Sequence, residues 1–239
     1  MNGYVDLHCH LLPGADDGVQ NVEEALQCLR AAQEAGFSEI ALTRHLKTGF
    51  FDFPKADADS RRSELQNAAG EAGLSIRLHG GGEHYLDDTF LAALETGVET
   101  IAGGKGLLME LPMMLIPPFI SEVAFRIRLK GMAPILAHLE RCAEIVEEPK
   151  KARSLAEMGY LLQVNLGSLG GFYGRRVAKA ARTIVGNGWT FCAASDCHGP
   201  MMIESVYREG IKELRKFGDE AVRMLLSDNP RKILRGEMP

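Results

Sequence analysis

A chain of 239 residues, 46% hydrophobic and 25% charged, can bury a continuous core, which excludes disorder and any need for a disulfide or structural metal to fold. A formal net charge of -5, with no dense run of Lys and Arg, excludes the basic footprint of a nucleic-acid partner. Five scattered cysteines without zinc-type pairs read as reduced thiols of a cytoplasmic protein, and the opening MNGYVDLHCH reads as structure rather than a signal peptide. The most apolar stretch, Gly106 to Ile120, is interrupted by Glu110 and three prolines and is too short to span a bilayer, so no membrane insertion is expected.

Short apolar runs alternate with amphipathic stretches that end in Gly. Tyr4–Leu7 is the first expected strand, and Val22–Ala35 has helical spacing up to Gly36. Glu39–Thr43 is the second strand, followed by a polar helix over Ala58–Ala72 that Gly73 stops. Leu74–Leu78 is the third, leading into Gly80-Gly81-Gly82, then a helix over Asp88–Glu95 and a short segment around Val98–Ile101. Gly106–Leu111, Ala133–Ala137, Tyr160–Val164 and Thr190–Ala194 complete the strands, with helices over Phe119–Lys130, Lys150–Met158 and Arg175–Val185 between them. The remainder reads as helical over Ile203–Lys216 and Asp219–Leu226, with a last turn capped at Asp228 or Asn229 and Pro230 early in it. Seven strand–helix repeats without a linker predict one domain over 1–239 with a parallel sheet. The regular alternation favours closure into a barrel; pattern alone leaves an open doubly wound sheet as the alternative.

The chemistry sits at the strand ends. His8-Cys9-His10 ends the first strand, His45 the second and Glu83-His84 the third; Glu110 lies near the end of the fourth, His138 follows the fifth, and Asp196-Cys197-His198 follows the seventh. A parallel barrel gathers all its strand C-termini on one face, where active sites are built. His8 and His10, two apart on a strand, face the same way and suit one metal, with Cys9 facing away. Asp17, in Asp16-Asp17-Gly18, and Asp196 with His198 can add ligands from opposite sides. Imidazole with carboxylate suits zinc, iron or manganese rather than calcium, and so many ligands imply two or three metals able to activate water. The signatures of other mechanisms are absent: no cysteine has an Arg six residues later, and there is neither a Gly-x-x-x-x-Gly-Lys-Ser/Thr loop nor a Gly-x-Ser-x-Gly elbow. Gly167-Ser168-Leu169-Gly170-Gly171 lacks the Lys of a phosphate loop and reads as a flexible loop over the barrel mouth.

Asp6-Leu7-His8-Cys9-His10, Asp16-Asp17-Gly18, Thr43-Arg44-His45, Gly82-Glu83, Met109-Glu110-Leu111-Pro112, Ala137-His138-Leu139-Glu140-Arg141 and Ala194-Ser195-Asp196-Cys197-His198 together resemble the PHP (polymerase and histidinol phosphatase) superfamily. The branch they resemble is the bacterial manganese-dependent protein-tyrosine phosphatases of capsule and exopolysaccharide operons. Gln163-Val164-Asn165, Gly167-Ser168-Leu169 and Leu226-Ser227-Asp228-Asn229-Pro230 extend the likeness over essentially the whole chain. The resemblance implies an α/β fold, a distorted seven-stranded (β/α)7 TIM-like barrel, holding three divalent metal ions: manganese, with iron or zinc as alternatives. By matching motif, His8, His10, Glu83 and Asp196 would hold one ion; Glu83, Glu110 and His138 a second; Asp17, His45 and His198 the third. Arg141 would bind the substrate phosphate and, with His138 and Asp196, count as catalytic. A metal-bound hydroxide would then attack phosphorus directly.

His79 reads as a packed strand residue and His84, pointing away from Glu83, as structural or supporting. Phe50, Phe51 and Phe53, with Met113 to Pro118, could line a slot for a tyrosyl ring or pack on one another. The branch's second Arg has no counterpart directly after His198: the next is Arg208, with Arg175 or Arg176 as substitutes. The leading function is therefore a phosphotyrosine phosphatase acting on a bacterial tyrosine kinase that controls exopolysaccharide or capsule synthesis. The alternatives are a small-molecule phosphomonoesterase of the histidinol-phosphate type and a non-catalytic regulatory module.

Overall fold

A computed structural model describes residues 3–239. Seven parallel strands, β1 (Tyr4–Cys9), β2 (Phe37–Leu46), β3 (Arg77–Tyr85), β4 (Gly106–Glu110), β5 (Ala133–Ala137), β6 (Leu161–Asn165) and β7 (Cys192–Ala194), pair in chain order. Helices α1 (Val22–Glu34), α2 (Lys55–Glu71), α3 (Phe90–Thr96) and α4 (Ile120–Leu129) follow the first four strands. Helices α5 (Ala143–Glu147), α6 (Lys151–Glu157), α7 (Leu166–Leu169) and α8 (Arg175–Gly186) surround the fifth and sixth, and α9 (Ile211–Arg215), α10 (Asp219–Arg223) and α11 (Asn229–Leu234) close the chain. Parallel pairing needs long crossovers, which these helices supply while covering the outer face of the sheet. No helix among the described residues is long and apolar enough to cross a membrane.

The sheet curls into a nearly closed barrel. The seam between β7 and β1 is bridged at Cys9 and Cys197. There the His10 amide donates to the Cys197 carbonyl at 2.9 Å and the Asp196 amide to the His8 carbonyl at 2.8 Å. Lower in the seam the carboxylate of Asp6 stands in for a strand carbonyl, accepting from the Ser195 amide at 3.0 Å. Two apolar layers result. The larger packs helices against the outside of the sheet; the smaller, built from Val5, Leu7, Ala41, Leu108, Ile135, Ala137 and Cys192, fills the bore. Ile101 and Ile233, both fully buried, plug its N-terminal end, so only the C-terminal end is left for polar chemistry.

Two expectations change. The third strand runs straight through Gly80-Gly81-Gly82 instead of ending before it. A Cβ at Gly82 would collide with the Leu46 side chain, so these glycines permit close strand contact rather than making a loop. The segment around Gly167 is not a flexible loop: Leu166, Gly167, Ser168 and Leu169 form a buried helical turn. It packs against the helix over 204–215, whose first part is π-helical, and side chains at Gly170 or Gly210 would strike the facing backbone. Two non-glycine residues at strand ends take left-handed conformations, His138 (φ 30°) and Asp196 (φ 49°). Each such residue costs about 1–3 kcal/mol, and such strain clusters at functional sites.

Candidate metal centre

The strand ends deliver nine potential ligands to the mouth of the barrel. His8, His10, Glu83, Glu110, His138 and Asp196 are buried, and His45, His198 and Asp17 stand progressively further out. His8 and His10, two apart at the end of β1, turn both imidazoles inward.

At the centre four donor atoms from three parts of the sheet face one another. The Nε2 atoms of His8 and His10 are 3.0 Å apart. Glu83 Oε2 lies 3.3 and 3.4 Å from them, and Asp196 Oδ1 repeats those two distances. Ligands about 2.1 Å from one ion are themselves ~3.0–3.4 Å apart. Both carboxylate oxygens are buried without a hydrogen-bond partner. Buried acceptors left unsatisfied are costly, so their convergence on imidazole nitrogens fits a divalent cation.

The donors fall into overlapping groups: His8, His10 and Asp196; His8, Glu83 and His138; His45, Glu83 and Glu110; and His10, Asp17, His45 and His198. The geometry therefore shares residues more widely than the family-derived allocation. His45 Nδ1 approaches Glu83 Oε2 at 3.1 Å and Glu110 Oε1 at 3.4 Å, while its Nε2 is 3.5 Å from Asp17. His138 Nε2 is 2.9 Å from Glu83 Oε1 but 3.9 Å from Glu110. Glu83 touches four histidines with its two oxygens, which suits it to bridge two ions.

Around the donors is a set of orienting groups to which the sequence reading gave no role. Gln163 donates through Nε2 to Asn165 Oδ1 at 2.6 Å, which turns its Oε1 toward His8 Nδ1 at 2.8 Å. With Nδ1 donating to Gln163, His8 would turn a lone pair at Nε2 toward a bound ion. Asp16 does the same for His10, 2.7 Å from its Nδ1, and also accepts from the amides of Gly18 and His45. His198 Nδ1 is 2.9 Å from the Asp196 carbonyl, leaving Nε2 outward. Asp196 Oδ2 accepts from Asn165 Nδ2 at 2.6 Å, Arg141 Nη1 at 3.0 Å and the Tyr173 hydroxyl at 3.3 Å. The legible signals were Asp16 beside Asp17 and the alternation of Gln163 and Asn165 on one strand face; Tyr173 carried none.

The electrostatics follow from this crowding. Burial alone would lower His10, yet Asp16, Asp196 and Glu83 outweigh it and hold the imidazole well above its usual range. Burial likewise opposes His45, but Glu110 and Glu83 push it up to about 10. Glu83 and Asp196 would be raised by burial and are instead held well below the carboxylate range, chiefly by His8, with His10 and His138 adding to it. With no ion bound, a proton on His10 and on His45 answers these carboxylates in its place.

Arg141, in the turn after His138, pairs with Asp196 rather than with Glu140 or Glu144. Arg175, Arg176 and Arg208 are exposed, and Arg208 pairs with Glu204. At the mouth Phe51 stacks on His45 at 5.0 Å, Phe50, Met114 and Leu115 are exposed, and Phe53 packs into the outer core. His79 pairs with Glu39 at 3.1 Å, and His84 bonds the Glu99 carbonyl on the outer wall. All five cysteines are buried free thiols.

Residues 4–235 match the family model described as capsular polysaccharide synthesis, CpsB/CapC. The chain is 28% identical to the tyrosine-protein phosphatase YwqE of Bacillus subtilis, covering 98% of this chain and 92% of that one. It is 26% identical to the tyrosine-protein phosphatase CpsB of Streptococcus pneumoniae, covering 98% and 99%. A crystal structure from the work on YwqE and CpsB, described as unique metal-dependent tyrosine phosphatases, superposes with a TM-score of 0.90 at 27% identity over 98% of this chain and 95% of that one.

Proposed function

This chain belongs to the capsular polysaccharide synthesis CpsB/CapC family, and from that premise we propose that it is a metal-dependent protein-tyrosine phosphatase. The single observation that carries the reading is the convergence of paired, tautomer-fixed histidines and orphaned carboxylate oxygens at the barrel mouth beside Arg141. The whole chain acts as one metallophosphoesterase domain, and its substrate is a phosphotyrosine segment of a bacterial tyrosine kinase serving capsule or exopolysaccharide synthesis.

Three divalent ions, manganese for choice, would be held by His8, His10, Asp17, His45, Glu83, Glu110, His138, Asp196 and His198. Bound there, they supply Lewis acidity toward phosphoryl oxygens and lower the pKa of water. The chain's own residues do the rest. Gln163 and Asp16 keep the Nε2 lone pairs of His8 and His10 aimed at the centre. Glu83 and Asp196 keep the pocket anionic until cations enter, and buried His138 backs Glu83. Arg141 offers a planar fork to the phosphate, as phosphoryl transfer requires charge neutralisation and positioning above all. Phe51 and the exposed apolar side chains after Glu110 give the tyrosyl ring a dry surface.

The test is phosphate release from phosphotyrosine peptides, phosphoserine peptides and histidinol phosphate, with added manganese and after chelation. Metal-dependent turnover selective for phosphotyrosine is expected. Turnover of histidinol phosphate alone moves the substrate to the small-molecule class, and no turnover of any sinks the enzymatic reading.

A further inference from the structure

Tyr173 lies between α7 and α8, where nothing in the motif pattern marks it. Its ring lies under the guanidinium of Arg141, with Cζ 4.4 Å from the ring centroid. Its hydroxyl reaches Asp196 Oδ2 at 3.3 Å, the same oxygen that Arg141 Nη1 holds at 3.0 Å. Phe172 braces the ring edge-on at 5.1 Å. Arg141 is therefore fixed on one edge by a carboxylate and on one face by an aromatic ring. Among the described residues, the remaining guanidinium N–H groups of Arg141 bond no protein acceptor.

We propose that Tyr173 is a positioning residue for phosphate: its ring and hydroxyl clamp Arg141 against Asp196, so that the open N–H edge of the guanidinium is presented to the incoming phosphoryl group. This rests on the reading of Arg141 as the phosphate-binding group. An arginine side chain unclamped at this site would sample many rotamers, and fixing it only on substrate arrival weakens binding. A tyrosine face is a suitable platform because a guanidinium stacks on it while keeping its in-plane donors free. The hydroxyl has a further use. When a phosphate draws Arg141 Nη1 away, the Tyr173 hydroxyl and Asn165 Nδ2 still supply Asp196 Oδ2, so Oδ1 stays turned toward His8 and His10.

The experiment is calorimetric titration of inorganic phosphate into the manganese-loaded protein, with metal content and melting temperature measured for every variant. Y173F keeps the ring and should weaken phosphate by about twofold to threefold; Y173M and Y173A remove it and should weaken phosphate by about tenfold. The same loss should appear as a higher KM for p-nitrophenyl phosphate with a smaller change in kcat. In an R141A background, Y173A should add less than about twofold, because the clamp then has nothing to hold. Phosphate affinity within twofold of wild type for both ringless variants, or a loss undiminished by R141A, overturns the proposal. Because the readout is phosphate binding, a chain that shows this coupling but fails to turn over phosphotyrosine supports the clamp and overturns the substrate reading.

Discussion

The two ends of the barrel are built on opposite terms. At the N-terminal end Ile101 and Ile233 close the bore, Glu39 is shared between His79 and Arg231, and Asn229 satisfies the Phe191 carbonyl at 2.8 Å. At the C-terminal end the inward oxygens of Glu83 and Asp196 have no hydrogen-bond partner, imidazole nitrogens face each other, and His138 and Asp196 sit in left-handed backbone. One end is finished by packing; the other is finished only by something that enters it. The same sheet supports both because the bore residues separate them.

Changes at the mouth should abolish function while sparing the fold, and changes at the base should do the reverse. The largest effect is expected from D196A or H138A: phosphatase activity should fall by about 10³-fold or more. The far-ultraviolet circular dichroism should be retained or the melting temperature raised, since an orphaned or strained group is removed. An unfolded D196A would show that the two ends are not independent.

Metal removal tests the same point through protons. Chelation should lower the melting temperature by roughly 5–10 °C, the scale of about 2.7 kcal/mol gained at a hundredfold excess of ligand over its Kd. His10 and His45 are held above their usual values, so the stability they give the metal-free chain is full below ~6.5 and is lost as pH rises through the His45 value of about 10. The metal-free protein should therefore melt progressively lower from neutral to alkaline pH, and loading metal at neutral pH should release protons measurable in weak buffer. A metal-free melting temperature that climbs with alkaline pH would contradict this role for the two protons.

D16N should come next. It keeps the size of the Asp16 side chain but weakens its hold on His10, and should cost about 10–100-fold in metal affinity by competition with a chelating dye. At the base, I233A should destabilise by about 2–5 kcal/mol in urea unfolding, with kcat per folded molecule unchanged. The smallest effect belongs to C197S. Cys197 is buried between two ligands but faces the outer core, so turnover should stay within about twofold at normal metal content.

The strand ends could be read from the sequence because a parallel barrel turns one-dimensional periodicity into a common face; His8, His45, Glu83 and His138 needed only their place after an apolar run. Glycine was harder to read. In β3 it permits close packing rather than marking a turn, and at Gly170 and Gly210 it lets two helices touch, a distinction set by residues distant in sequence. The roles of the supporting groups were harder still, although Asp16 beside Asp17 and the alternation of Gln163 with Asn165 were visible. Gln163, Asp16 and Tyr173 act through partners 155, 6 and 23 residues away, and no local spacing announces such a pair.

The seam between β1 and β7 has a last consequence, for synthesis. His8 and His10 lie on its first edge and Asp196 and His198 on its last, so the central cage joins segments made nearly a whole translation apart. A nascent chain that has made β1 to β6 still lacks Asp196 and His198, and with them part of the cage. Activity must therefore wait for the last part of the chain to be made, and a chain cut short before Asp196 should be inert.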